Sequence, residues 1–208
     1  MSFKARYKRN AGKPEGFLGT LLINRMNIGT HSRLAEFGLG CLDFSKKDNC
    51  LDLGCGGGAN LKRLAARCPD GSVSGIDYSE VSVRQSQRHN RRLIKSGKCS
   101  VKRADVLSLP FENDSFDKLT AFETVYFWQD IEKAFREVYR VTAQDGVFAV
   151  IQETEGNSPN AAKTLEIIEK MRFYKAEEIS ALMQQAGFKN TKIFRKHGEA
   201  WFCVTGKK

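Results

Sequence analysis

The residues most suited to chemistry in this chain are an acid and a run of glycines, Asp52-Leu53-Gly54-Cys55-Gly56-Gly57-Gly58. Glycines at this density let a backbone turn tightly and approach a ligand without Cβ clashes. Two further acids, Asp77 and Asp105, follow short apolar runs at similar intervals. A glycine loop followed by spaced acids suits a nucleoside-bearing cofactor, and two are compatible with it. Gly54-x-Gly56-x-x-Ala59 fits a dinucleotide fingerprint with Asp77 as the ribose acid, and the same residues fit S-adenosylmethionine. Asp52 beside the loop favours a cationic ligand over a pyrophosphate, which seeks uncompensated N–H groups. Asp105 adds a third acid, placed to take an adenine amine while Asp77 takes a ribose.

Positioning these residues requires strands that end at them. Short apolar runs alternate with helical periodicity, which predicts an α/β, Rossmann-like sheet covered by helices on both faces. Strands are expected at 49–53, Val73–Asp77, Cys99–Arg103, Phe116–Phe122 and Val147–Ile151. Helices are expected at Ala59–Arg67, Glu80–Ser96, Asp130–Val141 and Lys175–Ala186, the last stopped by Gly187. The last two strands, Phe188–Phe194 and Ala200–Thr205, are joined too closely for a helical crossover and must form an antiparallel hairpin. That gives seven strands, mostly parallel, and the hairpin departs from the usual dinucleotide domain. Residues 46–208 make the core. Residues 1–45, with helices expected around Leu18–Ile28 and Ser32–Cys41, read as an N-terminal helical lid. Residues 152–175, with a helix expected over Ala161–Lys170, read as a substrate-side insert reaching the same carboxyl edge of the sheet.

Four segments, LDLGCGGG (51–58), GIDYS (75–79), ADVLSLPFENDSFD (104–117) and FREVYRVTAQDGVFAV (135–150), resemble in order the class I S-adenosylmethionine-dependent methyltransferases, near the ubiquinone and menaquinone C-methyltransferases. FYKAEEISALMQQAGF (173–188) is similar to that family's last core helix, so the resemblance covers 49–205. It implies S-adenosylmethionine as cofactor and S-adenosylhomocysteine as product. Gly54, Cys55 and Gly56 would cradle the methionine part, with Asp52 near its ammonium. Asp77 would take both ribose hydroxyls and Tyr78 would flank the adenine. Asp105 would accept from the adenine amine beside the backbone N–H of Val106, and Glu123 would border the methyl group.

Methyl transfer from a sulfonium asks the protein for alignment and desolvation, and for a base only where the acceptor is protonated. His31, Glu123 and Tyr126 are the candidate catalytic residues, and Tyr126-Phe127-Trp128 are candidates to line an apolar acceptor pocket. Tyr7 and Tyr174 are placed within reach of the site. Where enzymes that methylate base amino groups carry Asn/Asp-Pro-Pro-aromatic, this chain has Glu123-Thr124-Val125-Tyr126, and it has no cysteine there for cytosine C5 chemistry. The expected acceptor is a small molecule. RNA or protein as acceptor, and a non-catalytic cofactor-binding protein, are the alternatives.

Composition narrows the setting. The 208 residues carry a net charge of +10. Residues 81–104 hold eight basic side chains (Arg84, Arg88, Arg91, Arg92, Lys95, Lys98, Lys102 and Arg103) and no acid. That run lacks interleaved aromatics for base stacking, so a solvated helix face is favoured over a nucleic-acid surface. Six cysteines without a C-x-x-C pair argue against zinc, and no metal is expected. No apolar run is long enough for a membrane span. A basic, polar N-terminal stretch without an apolar segment behind it points to the cytoplasm.

Overall fold

A computed structural model describes residues 30–156 and 171–208. The helices expected at Leu18–Ile28 and Ala161–Lys170, and Tyr7, lie outside the described residues. The first element, α1 (Thr30–Leu39), leads to β1 (Cys50–Leu53), α2 (Ala59–Arg67) and β2 (Val73–Asp77). Then come α3 (Glu80–His89), α4 (Arg91–Lys95), β3 (Cys99–Arg103) and β4 (Phe116–Phe122). A 3-10 turn (Val125–Phe127) precedes α5 (Ile131–Val141) and β5 (Thr142–Gln152). The described chain closes with α6 (Ala176–Ala186), β6 (Lys189–Arg195) and β7 (Phe202–Lys207).

The seven strands form one sheet in the order β3-β2-β1-β4-β5-β7-β6. The first five pair in parallel, and β7 lies antiparallel between β5 and β6. This is the α/β, Rossmann-like fold with a terminal hairpin that the sequence predicts. The order reverses at β1, whose neighbours are β2 on one side and β4 on the other. A crevice at the carboxyl ends of such strands is where ligands bind in open α/β sheets.

Strand alternation distributes the core over both faces. On one face Leu51, Leu119, Phe148 and Phe188 pack with Phe135 and Val138 of α5 and Met183 of α6. Asp130 caps α5, accepting from the Lys133 N–H at 2.9 Å, and Phe135 meets Phe148 edge-on with centroids 5.4 Å apart. On the other face Cys50, Cys55, Leu61 and Leu64 pack with Val73 and Val101. Burying aromatic and branched side chains at this density, about 1.5–3 kcal/mol each, holds β1 and β4 in register so that their last residues stand side by side.

The two hairpin strands lie one and two residues later than expected, and three other boundaries differ in ways that bear on packing. The helix expected to run unbroken over Glu80–Ser96 is two helices meeting at Asn90. The Asn90 side-chain amide donates to the carbonyls of Gly58 (2.9 Å) and Ser86 (3.0 Å), which ties the end of α3 to the glycine loop. Gly58 has φ 77°, and a Cβ there would meet Ser86 Oγ at 2.2 Å, so the loop and α3 touch only because this residue is glycine. β5 begins five residues earlier than expected, because Thr142 pairs with Phe116 before the register jumps to Lys118 and Val147. Asp145 turns through φ 65° inside that irregularity. The first described helix starts at Thr30 rather than Ser32 and lies against β5. A Cβ on Gly38 would meet Ile151 Cγ1 at 2.4 Å, and Leu34 is buried beside Ala149, Ile151 and Trp201.

The six cysteines are free thiols, five of them buried. Among the described residues no helix is long and apolar enough to cross a membrane.

Candidate active site

A cavity of about 380 Å³ opens at the carboxyl ends of β1, β2 and β4, beside the segment that follows β3. Its size falls within the range of small-molecule sites. Asp52, Gly54, Cys55, Gly56, Asp77, Tyr78, Asp105, Val106, Glu123 and His31 all line it. Tyr126 does not.

The glycine loop is held from below. The N–H groups of Gly54 and Cys55 both donate to the Ile76 carbonyl (2.9 and 2.8 Å), and that of Gly58 donates to Cys55 (2.8 Å). The Gly56 N–H donates to Asp77 Oδ2 at 2.9 Å. Four loop donors are therefore engaged within the protein, whereas a pyrophosphate cradle needs them aimed at the ligand. Gly56 (φ 50°) faces open space: a Cβ there would meet nothing within 4 Å. Gly54 (φ 73°) is glycine for another reason, since a Cβ would meet Thr124 Oγ1 at 2.3 Å.

The acids differ in environment. Asp52 is only 2% exposed, and its one hydrogen bond among the described residues is accepted from Thr120 Oγ1 at 2.8 Å. Burial pushes its carboxyl up to about 7, with the Thr120 hydroxyl opposing and nearby Asp77 adding to the rise. Asp77 accepts from Ser79 N (2.8 Å) as well as Gly56 N. Burial raises its carboxyl too, against the pull of those two N–H groups. Asp105 is exposed and accepts from Leu107 N at 3.0 Å, an Asx turn that leaves its outer oxygen to the cavity. Tyr78 is 42% exposed at the rim, and the backbone carbonyl of Tyr78 accepts from Arg103 Nε at 3.1 Å.

Glu123 leaves β4 with φ 55°, a left-handed conformation unusual for a non-glycine residue. Its Oε1 accepts from Glu153 N at 2.7 Å and its Oε2 from the Tyr126 hydroxyl at 3.2 Å. Burial pushes its carboxyl up to about 8, with the Glu153 charge adding to the rise. Tyr126 is buried beneath it and its phenol is raised by the same burial, so Tyr126 holds its proton and donates to Glu123. His31, Glu123 and Glu153 bring one ligand atom each to within 4.8 Å of one another.

Several residues of the site carry no sequence motif. Thr120 supports Asp52, and Thr124 accepts from Trp128 Nε1 at 3.3 Å. Arg63 lines the cavity while bonding Ser32 Oγ (2.6 Å) and Glu36 (3.1 Å), which fastens α1 to α2. Glu153 had the one legible signal: like Asp105, it is an acid just past the end of a parallel strand. The expected pocket aromatics divide, with Phe127 and Trp128 on the cavity wall and Tyr126 behind it. Tyr174 is buried in the core under Arg172.

The donor set fits S-adenosylmethionine. It offers a desolvated carboxylate for an ammonium, two further carboxylates on adjacent strand ends, and an open glycine edge, with no set of free N–H groups for a pyrophosphate.

Comparison with known proteins agrees. A family model described as a methyltransferase domain matches residues 51–150. Squalene methyltransferase 1 of Botryococcus braunii is 28% identical over 144 residues, covering 68% of this chain and 37% of that protein. The malonyl-[acyl-carrier protein] O-methyltransferase of Geobacter sulfurreducens is 28% identical over 154 residues, covering 69% and 57% respectively. The chain thus spans between about a third and three-fifths of the length of these curated relatives. A SAM-dependent methyltransferase structure from Aquifex aeolicus superposes with a TM-score of 0.75 at 18% identity, covering 90% of this chain and 97% of its own, a likeness of fold. Residues 51–150, with the strand order and acids described above, match a methyltransferase domain, and over them the chain is similar to the class I S-adenosylmethionine-dependent methyltransferases.

Proposed function

We propose that this protein transfers the sulfonium methyl group of S-adenosylmethionine to a small-molecule acceptor and releases S-adenosylhomocysteine. The observation that carries the reading is the cavity lining: Asp52, Asp77 and Asp105 converge on it while the glycine-loop N–H groups are engaged elsewhere. The cofactor, when bound, supplies an already activated methyl group. Everything else is the work of side chains. Asp52 holds the ammonium, Asp77 the ribose hydroxyls, and Asp105 with the N–H of Val106 the adenine edge beside Tyr78. Gly54, Cys55 and Gly56 give the methionine part a wall without protruding side chains.

The acceptor enters on the side of His31, Glu123, Phe127 and Trp128. His31 in α1 and Glu153 just past β5 stand at this end of the site and form its wall. Glu123 and His31 take the acceptor's proton where there is one to lose, and Tyr126 positions Glu123 by donating to it. A small acceptor is favoured over nucleic acid because the charged side chains lining the cavity are mostly acids (Asp52, Asp77, Asp105 and Glu123, against Arg63), which repel phosphates. Squalene and a carrier-bound malonyl group, named for the relatives, are both acceptors without an accessible base ring.

A panel of small-molecule acceptors (alcohols, carboxylic acids, amines and polyprenyl chains) incubated with the protein and S-adenosylmethionine tests this. Acceptor-dependent formation of S-adenosylhomocysteine is expected from one class. Turnover only with RNA, and lost steeply with salt, contradicts it. So does tight cofactor binding without turnover on any acceptor class, which marks a binding module.

A further inference from the structure

Three elements that are distant in sequence bring their donors to one point at the acceptor end of the cavity. His31 comes from the first turn of α1, Glu123 from the end of β4 and Glu153 from just past β5. Their ligand atoms all lie within 4.8 Å of one another. Two carboxylates with oxygens within 4.8 Å of each other repel unless a cation or a proton lies between them, and among the described residues no Lys or Arg pairs with either. The neighbouring carboxylates of this protein do find such partners, as Glu155 does with Arg195 at 2.8 Å and Glu36 with Arg63 and Arg67. The Glu153 carboxylate and the His31 imidazole also accept or donate no hydrogen bond among the described residues, so both have their lone pairs available.

Glu123 is the fixed member. It is partly buried at the cavity wall, and Tyr126 and the Glu153 N–H each engage one of its oxygens, leaving each oxygen a further lone pair. Hydrogen-bonded support of this kind is what orients a ligating carboxylate. We propose that His31, Glu123 and Glu153 form a binding site for one divalent metal ion at the acceptor end of the cavity.

One imidazole and two carboxylates are a borderline-to-hard donor set suited to Mn²⁺, Fe²⁺ or Zn²⁺. Metal–ligand bonds of about 2.0–2.2 Å require the donors to close in from their present separations. Glu153 and His31, each only partly buried, have the room to rotate. Three protein ligands leave coordination positions open toward the cavity, the arrangement of a metal that binds substrate rather than one that only holds the fold. The ligand class this implies is an acceptor presenting a hydroxyl or enol oxygen. Bound to the metal, that oxygen loses its proton more readily. With Glu123 and His31 ligating the metal, the proton passes to solvent rather than to them as the oxygen takes the methyl group, and the sulfur keeps the electron pair of the broken bond. The acceptor role rests on the methyl-transfer reading above; metal binding itself does not.

The test is a titration of the metal-stripped protein with MnCl₂, followed by calorimetry and by loss of the free Mn²⁺ paramagnetic resonance signal. Mn²⁺ is the probe because six free thiols would compete for zinc. One equivalent is expected to bind, and Glu153→Gln and His31→Ala are each expected to weaken it more than about tenfold. Circular dichroism and S-adenosylhomocysteine binding by Glu153→Gln report that the fold is kept. No Mn²⁺ binding by a wild-type protein that still binds S-adenosylhomocysteine overturns the metal site and leaves the cofactor reading standing. Binding that both variants retain in full overturns it as well, by placing the ion elsewhere. Mn²⁺ binding by a protein that does not bind S-adenosylhomocysteine supports the metal site while removing the acceptor role assigned to it.

Discussion

Replacing Asp52 with Asn raises the melting temperature of the ligand-free protein and weakens S-adenosylhomocysteine at the same time. The carboxyl is carried from an ordinary value near 3.8 to about 7 by burial. A group raised in the folded state contributes its full stability only below its unfolded pKa and loses it as pH climbs through the folded one. At pH 8 the wild-type protein therefore carries a penalty of about 3 kcal/mol, taking 1.36 kcal/mol per unit and discounting for the opening to the cavity. Asn keeps the acceptor that Thr120 uses and removes the charge.

For a chain of this length the melting temperature should rise by roughly 6–12 °C at pH 8. The gain should vanish below about pH 4. Loss of a charge-assisted contact to the ligand ammonium should weaken S-adenosylhomocysteine by about 10- to 100-fold. Wild-type affinity should also fall as pH drops from 8 to 6, since the ammonium is held by the ionised carboxylate, and the Asp52→Asn variant should lose that slope. Scanning calorimetry at two pH values and titration calorimetry across the range read all of these. An unchanged or lowered melting temperature contradicts the assignment.

Asp77→Asn behaves differently, although the substitution is formally the same. Both Asp77 oxygens accept from backbone, one from Gly56 and one from Ser79. An amide offers a single oxygen, so its NH₂ must face one of those N–H groups, and leaving a donor unsatisfied costs about 1–3 kcal/mol. Relief of the buried charge is offset, and no rise in melting temperature is expected. The glycine loop loses its anchor and the ribose loses its acceptor, so S-adenosylhomocysteine should weaken by more than about 100-fold. A variant that binds normally removes Asp77 from the ribose role. The pair of Asn variants thus separates an acid that serves only the ligand from one that also holds the loop.

Much of this site is legible in the sequence. The glycine loop and Asp105 each follow a strand and Asp77 ends one, and a parallel strand followed by a loop has one edge at which to present them. The terminal antiparallel hairpin followed from the short link between the last two strands, whereas the strand order did not. What was not legible depends on side chains reaching across the fold. The break at Asn90 arises because its amide bonds Gly58, 32 residues away. Nothing in its local sequence marks it off from a continuing helix. Tyr126 alternates with Phe127 around a single 3-10 turn, and a one-residue difference decides which faces the cavity. Glu153 gained its meaning only beside Glu123 and His31, which lie on other elements.

The measurement that tests the central claim most directly is a calorimetric titration of the protein with S-adenosylhomocysteine, with NAD as the control. The acids of the cavity and the engaged loop N–H groups predict micromolar binding of the first and none of the second. Binding of NAD with no binding of S-adenosylhomocysteine contradicts the account at its root, because the loop would then serve a pyrophosphate.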